Sequence, residues 1–366
     1  MKTDTNLLLL ILCLAKGGCW AVTVEGYAGD SIIIKCKYDQ EYTKHPKYFC
    51  KENEFSKSFP CNTLIQTEWS EGRFSLYDDK DSGYFKVIMN KLTKTDEGKY
   101  WCAVDIDLSL DEYNEVDLKV REGGSPTTQV TGCVGGAVMM KCSFSLKYAD
   151  NKKYFCKENS QGPGCEGIIE THVNDQWRTS DRFSLFYNTS GKFALVKIRG
   201  LTEKDAGKYQ CAVDIPFAGH IQVAVDEHTE AYLHVEEDPC CEQPMHVNAV
   251  VGQHLNITCK YPNRHRERPK FFCREADAIG CRYTFTSQDS RAKTDPGLYS
   301  LHDNRERRIL VVSFRNVTKH HGGHYWCGVE VNWESGGYKA FITNVSLSVK
   351  GNNKIVFFLF SALHLH

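Results

Sequence analysis

Cysteine is the residue type with the most available chemistry in this chain, and its spacing indicates which chemistry that is. Seventeen cysteines stand among 366 residues. Cys36, Cys50, Cys61 and Cys102 form a set that recurs as Cys142, Cys156, Cys165 and Cys211, and again as Cys259, Cys273, Cys281 and Cys327. The first cysteines lie 106 and 117 residues apart, and the outer members of each set are separated by 66, 69 and 68 residues. Zinc ligation by thiolates calls for a Cys-x2-Cys chelate; none exists, and the vicinal Cys240-Cys241 cannot supply that geometry. Disulfide formation is the chemistry that remains, and it requires an oxidising compartment.

Other reactive groupings carry less. His320-His-Gly-Gly-His324 has the composition of a metal cluster, but its register places it in the turn before Tyr325, so no metal is expected there. Carboxylates concentrate at Asp105, Asp107, Asp111, Glu112, Glu115 and Asp117. Such a set could hold Ca²⁺ together with a ligand, and it equally suits a solvated loop. Arg264-His-Arg-Glu-Arg-Pro-Lys270 and Arg305-Glu-Arg-Arg308 could touch sulfated sugar or anionic lipid, although such runs are more often solvated. A nucleophile elbow, a His-Glu-x-x-His helix and a phosphate loop are all missing, so neither an enzyme nor a cofactor is expected. Lys and Arg number 45 against 46 Asp and Glu, which removes the electrostatic case for nucleic acid.

The elements that position these residues are strands. Ser31-Ile-Ile-Ile-Lys-Cys36, Ala137-Val-Met-Met-Lys-Cys142 and His254-Leu-Asn-Ile-Thr-Cys259 each carry an apolar residue two before the cysteine, on the same face of a strand. Phe85–Met89, Phe193–Ile198 and Ile309–Phe314 follow at similar intervals, and no helical stripe appears beyond the N-terminus. Asp96-x-Gly98-x-Tyr100-x-Cys102 and Asp205-x-Gly207-x-Tyr209-x-Cys211 are tyrosine corners, in which the hydroxyl bonds back to the turn. An aromatic, Phe49, Phe155 or Phe272, stands 13 residues after each first cysteine. Together these predict an all-β chain of three tandem immunoglobulin sandwiches of the variable type.

Two finer expectations follow. In variable-type domains the turn Asp pairs with an Arg at the start of strand D; Arg73 precedes Asp96, and Arg182 precedes Asp205, by 23 residues in both cases. Leu298 and His321 occupy these places in the third repeat, which should therefore lack the ion pair and keep its corner at Tyr325. The cysteine directly after each strand C aromatic faces away from the core, so Cys50, Cys156 and Cys273 should pair with Cys61, Cys165 and Cys281, leaving Cys36–Cys102, Cys142–Cys211 and Cys259–Cys327 as the inter-sheet bridges. Cys19, Cys133, Cys240 and Cys241 remain, and a bridge from Cys133 to the vicinal pair is plausible in sequence position.

Lys47-Tyr-Phe-Cys-Lys51, Lys153-Tyr-Phe-Cys-Lys157 and Lys270-Phe-Phe-Cys-Arg274 resemble the Lys-Tyr-Trp-Cys-Lys motif of the polymeric immunoglobulin receptor and CMRF-like leukocyte receptors. Gly72-Arg-Phe-Ser-Leu76, Asp181-Arg-Phe-Ser-Leu185 and Tyr100-Trp-Cys-Ala-Val104 fit the same family, with Phe for Trp as a departure in every copy. The resemblance implies a myeloid or mucosal immune receptor ectodomain, with activating, inhibitory and immunoglobulin-transporting roles all open.

Met1-Lys2 and the apolar run Leu7–Ala15 read as a secretory signal peptide over 1–19. Repeats are expected over 20–122, 123–237 and 238–350, with a short apolar tail over 351–366. The apolar run of that tail, Ile355–Leu363, is half of what a spanning helix needs. Sequons at Asn188, Asn256, Asn316 and Asn344 leave the first repeat bare. That repeat carries 14 basic and 19 acidic residues over 21–121, against 16 and 13 over 236–350. Its F–G loop, with Asp105, Asp107, Asp111, Glu112 and Glu115, is the leading candidate for ligand contact, and the B–C loop Asp39–Pro46 is the second. The expected function is a cell-surface immune receptor ectodomain that binds a protein or lipid ligand and signals at the plasma membrane through a missing tail or an adaptor. A secreted decoy or immunoglobulin carrier is the alternative.

Overall fold

The computed structural model describes residues 21–52, 61–67, 72–107, 111–123, 127–144, 150–158, 165–217, 223–241, 244–276, 280–286 and 299–351. The signal-peptide segment, the apolar tail, Cys19 and Leu298 lie outside the described residues. Contacts divide the chain into two compact units, one of 1–129, 141–196 and 206–233, the other of 130–140, 197–205 and 234–366.

The first unit opens with β1 (Val22–Tyr27), β2 (Ile32–Lys37), β3 (Lys47–Glu52), β4 (Cys61–Gln66), β5 (Phe74–Asp79), β6 (Tyr84–Met89), β7 (Gly98–Val104) and β8 (Glu112–Arg121). The strands continue through β9 (Thr128–Cys133), β10 (Ala137–Ser143), β11 (Lys153–Glu158), β12 (Cys165–Thr171), β13 (Trp177–Ser180), β14 (Phe183–Asn188), β15 (Phe193–Arg199), β16 (Gly207–Val213), β17 (Val223–Val225) and β18 (Glu227–Glu236). The last eight are β19 (Met245–Val250), β20 (Leu255–Lys260), β21 (Lys270–Ala276), β22 (Gly280–Thr286), β23 (Ser300–Asn304), β24 (Ile309–Phe314), β25 (Gly323–Val331) and β26 (Tyr338–Lys350). The chain is all-β, as its period-two patterning requires.

In the first unit one sheet runs β1-β8-β7-β3-β4, and a second runs β17-β2-β6-β5. Alternation places Phe85, Val87 and Met89 of β6 inside, against Ile34, Cys36 and Phe49. In the second unit β21, β25 and β26 form consecutive antiparallel pairs, and β20-β24-β23 form a separate three-stranded sheet. Leu255, Ile257 and Cys259 of β20 turn inward to Phe272 and Val312, while Asn256, Thr258 and Lys260 are exposed.

Where a larger indole would sit, each repeat stacks its phenylalanine on the corner tyrosine. Phe49 lies 5.2 Å from Tyr100, Phe155 lies 5.1 Å from Tyr209, and Phe272 lies 4.9 Å from Tyr325, all nearly parallel. The Tyr100 hydroxyl donates to the Asp96 carbonyl at 2.5 Å, and the Tyr325 hydroxyl to the His321 carbonyl at 2.7 Å. Gly98 has φ +135°, and a Cβ there would meet Lys51 Cε at 3.3 Å, so the glycine both adopts the turn and lets Lys51 cover the Tyr100 ring.

Sulfur–sulfur bonds join Cys36 to Cys102, Cys50 to Cys61, Cys142 to Cys211, Cys156 to Cys165, Cys259 to Cys327 and Cys273 to Cys281. Cys133 bonds to Cys241, and Cys240 is left as a free, half-buried thiol among the described residues.

At the corner of the first repeat Arg73 Nη1 donates to Asp96 Oδ2 at 2.6 Å, and the Thr93 amide donates to the same oxygen at 2.7 Å. In the third repeat the Thr318 amide instead donates to His321 Nδ1 at 3.0 Å. His321 is buried against Phe314, while His320 and His324 are exposed. The histidine thus keeps the capping acceptor that the lost aspartate supplied, without its charge.

Candidate functional site

The acidic F–G loop of the first repeat is built on a tyrosine pair. Tyr48 on β3 and Tyr113 on β8 stand edge to face, with ring centroids 6.4 Å apart. Both hydroxyls donate to Asp111 Oδ2, at 2.6 and 3.1 Å, and the Ile106 amide donates to Asp111 Oδ1 at 3.1 Å. Asp111 is therefore a structural acceptor that folds the loop back on its own strands. Burial, reinforced by the Asp111 hydrogen bond, raises the Tyr48 hydroxyl well above the phenol range, and burial pushes Tyr113 up to about 12. Both remain donors at any physiological pH.

The B–C loop is drawn to the same end. The Asp105 amide donates to the Pro46 carbonyl at 2.9 Å, and the Tyr42 hydroxyl donates to Glu112 Oε1 at 3.4 Å. Glu115 pairs with Lys99 at 2.7 Å and Asp117 with Lys119 at 3.1 Å. Asp105 and Asp107 remain exposed, and neither joins an ion pair among the described residues. Asp111 and Glu112 thus brace the loop, Glu115 and Asp117 lie on β8 rather than in the loop expected from the sequence, and Asp105 and Asp107 face solvent.

The second repeat shows what such a loop can hold. The Tyr154 hydroxyl donates to Asp226 Oδ2 at 2.9 Å, the Ile215 amide to Asp226 Oδ1 at 3.0 Å, and the Asp214 amide to the Lys152 carbonyl at 2.9 Å. These bonds reproduce those of Tyr48, Ile106, Asp105 and Asp111. Here the carboxylates close on a lysine: Lys35 Nζ lies 2.6 Å from Asp214 Oδ1 and 2.8 Å from Asp226 Oδ1. It also donates to the Ile215 carbonyl at 2.5 Å, and the side chain is 2% exposed. Burial opposes ionisation of Asp214, yet hydrogen bonding to Lys35 holds its carboxyl below the usual range. Alongside, β17 pairs with β2, Val223 opposite Cys36 and Val225 opposite Ile34.

Lys35 is not singled out by the cysteine or carboxylate spacing, although two features of the sequence bear on it. Cys102-Ala-Val-Asp-Ile106 and Cys211-Ala-Val-Asp-Ile215 match residue for residue, which equates the two loops. The unbroken apolar run Ile32-Ile-Ile34 also marks a strand buried on both faces. The basic runs are engaged locally: Arg305 pairs with Glu267 at 2.8 Å, and Arg268 donates to Asn332 at 3.0 Å. Asn256 and Asn316 are exposed, and Asn188 and Asn344 are partly so. Among the described residues no group of three or more metal-ligating side chains converges, and no helix is long and apolar enough to cross a membrane.

The immunoglobulin V-set domain family matches the chain three times, over residues 21–121, 124–231 and 242–350. The polymeric immunoglobulin receptor of Mus musculus is 26% identical over 336 residues, covering 89% of this chain and 42% of that protein. CMRF35-like molecule 2 of Homo sapiens is 33% identical over 115 residues, covering 29% of this chain and 54% of that protein. The solved ectodomain of a teleost fish polymeric Ig receptor aligns with TM-score 0.25 and 21% identity, covering 60% of this chain and 98% of that one. The chain spans about two fifths of the length of the polymeric immunoglobulin receptors it matches.

Proposed function

Starting from the fact that this chain belongs to the immunoglobulin V-set domain family, we propose that it takes a protein ligand at the loop end of its first repeat. The chain is a receptor-like immunoglobulin ectodomain related to the polymeric immunoglobulin and CMRF35-like receptors, and its relatives are not enzymes. The observation that carries the proposal is the paired loops: Asp214 and Asp226 grip Lys35, while the equivalent Asp105 is exposed beside a loop braced in the same way. Exposed carboxylates next to a backbone already held at Asp105 and Ile106 cost little ordering on binding and favour a ligand with basic side chains. Anchorage at the plasma membrane, with signalling through a spanning segment or an adaptor, completes this reading; a secreted carrier would use the same loop.

The relatives' name supplies the first probe, polymeric immunoglobulin, titrated over the immobilised full chain with monomeric immunoglobulin as comparator. Saturable binding is expected, weakened about tenfold or more by Asp105→Ala with Asp107→Ala and with a slower, less salt-dependent on-rate. Binding that survives this double substitution unchanged removes the loop from the interface. Fractionation of expressing cells separates the two settings, since a wholly soluble product excludes the anchored form.

A further inference from the structure

The three strands that carry the first cysteine of each repeat, β2, β10 and β20, present different outer faces. Three residues before the cysteine, where the side chain points away from the core, stand Ile33, Met139 and Asn256. Ile33 is 4% and Met139 7% exposed, whereas Asn256 is open to solvent. The strand edges differ in the same way. In the first unit β17 adds to β2. In the second unit β26 adds to β10, with Ala137 opposite Phe341 and Met140 opposite Tyr338. Among the described residues β20 has β24 on one side and is the edge of its sheet on the other.

An open edge beside an outer face is a template for another strand, and natural sheets protect such edges. The outer face of β20 has the means. Asn256-Ile-Thr258 is a sequon whose Asn and Thr are both exposed, and their cross-strand neighbours are Ser313 and Val311. We propose that Asn256 is an N-glycosylation site whose glycan closes the edge and outer face of β20 to strand addition. The donor is a lipid diphosphate-linked oligosaccharide of the secretory pathway. Asn256 Nδ2 forms a bond to C1 of the first sugar, the C1–oxygen bond to the diphosphate breaks, the lipid diphosphate leaves, and the amide gives up one proton. The proposal is independent of where the ligand binds.

The test uses the full chain secreted from a glycosylating eukaryotic host. Glycopeptide mass spectrometry should find Asn256 predominantly occupied. Sedimentation of the wild-type chain and of Thr258→Ser, which keeps the sequon, should not change with concentration. Asn256→Gln and Thr258→Val, which lose the sequon from opposite ends, should both shift to larger species as concentration rises. Should those two fail to be secreted, a chain with Asn188→Gln, Asn316→Gln and Asn344→Gln is compared before and after enzymatic removal of its remaining glycan, and the same shift is expected. An unmodified Asn256 in the secreted wild-type chain overturns the proposal. Sedimentation that ignores loss of the glycan overturns its edge-closing role.

Discussion

The first lysine of the Lys-aromatic-Phe-Cys motif is buried in all three repeats, and its surroundings differ in a way that can be measured. Lys47 lies 3.3 Å from Asp78 and 4.2 Å from the Tyr38 ring, and Lys270 lies 3.2 Å from Asp303 and 4.2 Å from the Tyr261 ring. In the second repeat Phe144 and Tyr187 occupy the places of Tyr38 and Asp78, and Lys153 sits 4.0 Å over Tyr187. Burial lowers Lys153 from 10.5 to about 8. Below pH 8 both folded and unfolded chains carry this charge, and the fold bears the cost of burying it. Between about 8 and 10.5 the unfolded chain holds more protons, so stability rises with pH across that window. Lys153→Met should raise the stability of this repeat by about 1–2 kcal/mol at pH 7 and flatten the rise, checked by thermal unfolding at pH 7.5 and 9.5. A second residue-scale expectation concerns the corner. Arg73→Ala leaves the buried Asp96 without its cation and should cost about 2 kcal/mol, while His321→Asp should put an unpaired carboxylate at the third corner and destabilise it similarly, both read by chemical unfolding. Spacing alone was enough to place the Arg73–Asp96 pair. The capping role of His321 was hidden, because a pattern records the loss of a charge and not which atom inherits its hydrogen bond.

At the scale of strands, period-two alternation located the core-facing residues, and the cysteine spacing set which strands carry them. The partner of β2 was not legible. β17 is three residues long, too short for an alternation of its own to announce it. On either side of it in sequence, Asp214 and Asp226 hold Lys35, a cation about 180 residues away in the chain. Lys35→Met should leave Asp226 buried with only the Tyr154 and Ile215 donors, costing about 3 kcal/mol. Hydrogen exchange checks this: amides at Ile34 and Val225, which lie opposite one another, should lose protection together while those of β7 keep theirs. Retained protection at both would mean that the apolar pairing holds β17 without the ion cluster.

For the whole molecule, the threefold cysteine repeat shows the number of copies, period-two alternation shows the all-β class, and the Lys-Tyr-Phe-Cys-Lys motifs carry the resemblance to the receptor family. What repetition cannot convey is where the copies diverge in use. The F–G segments of the first and second repeats share their backbone bracing, yet one grips an internal lysine and the other leaves Asp105 and Asp107 exposed. That divergence is the basis for placing the ligand on the first repeat. The most direct measurement is a titration of the immobilised full chain with the immunoglobulin probe, comparing wild type, Asp105→Ala with Asp107→Ala, and Asp214→Ala. Weakening of about tenfold or more in the double variant alone is the predicted result. Equal binding by the wild-type chain and the double variant would contradict the account.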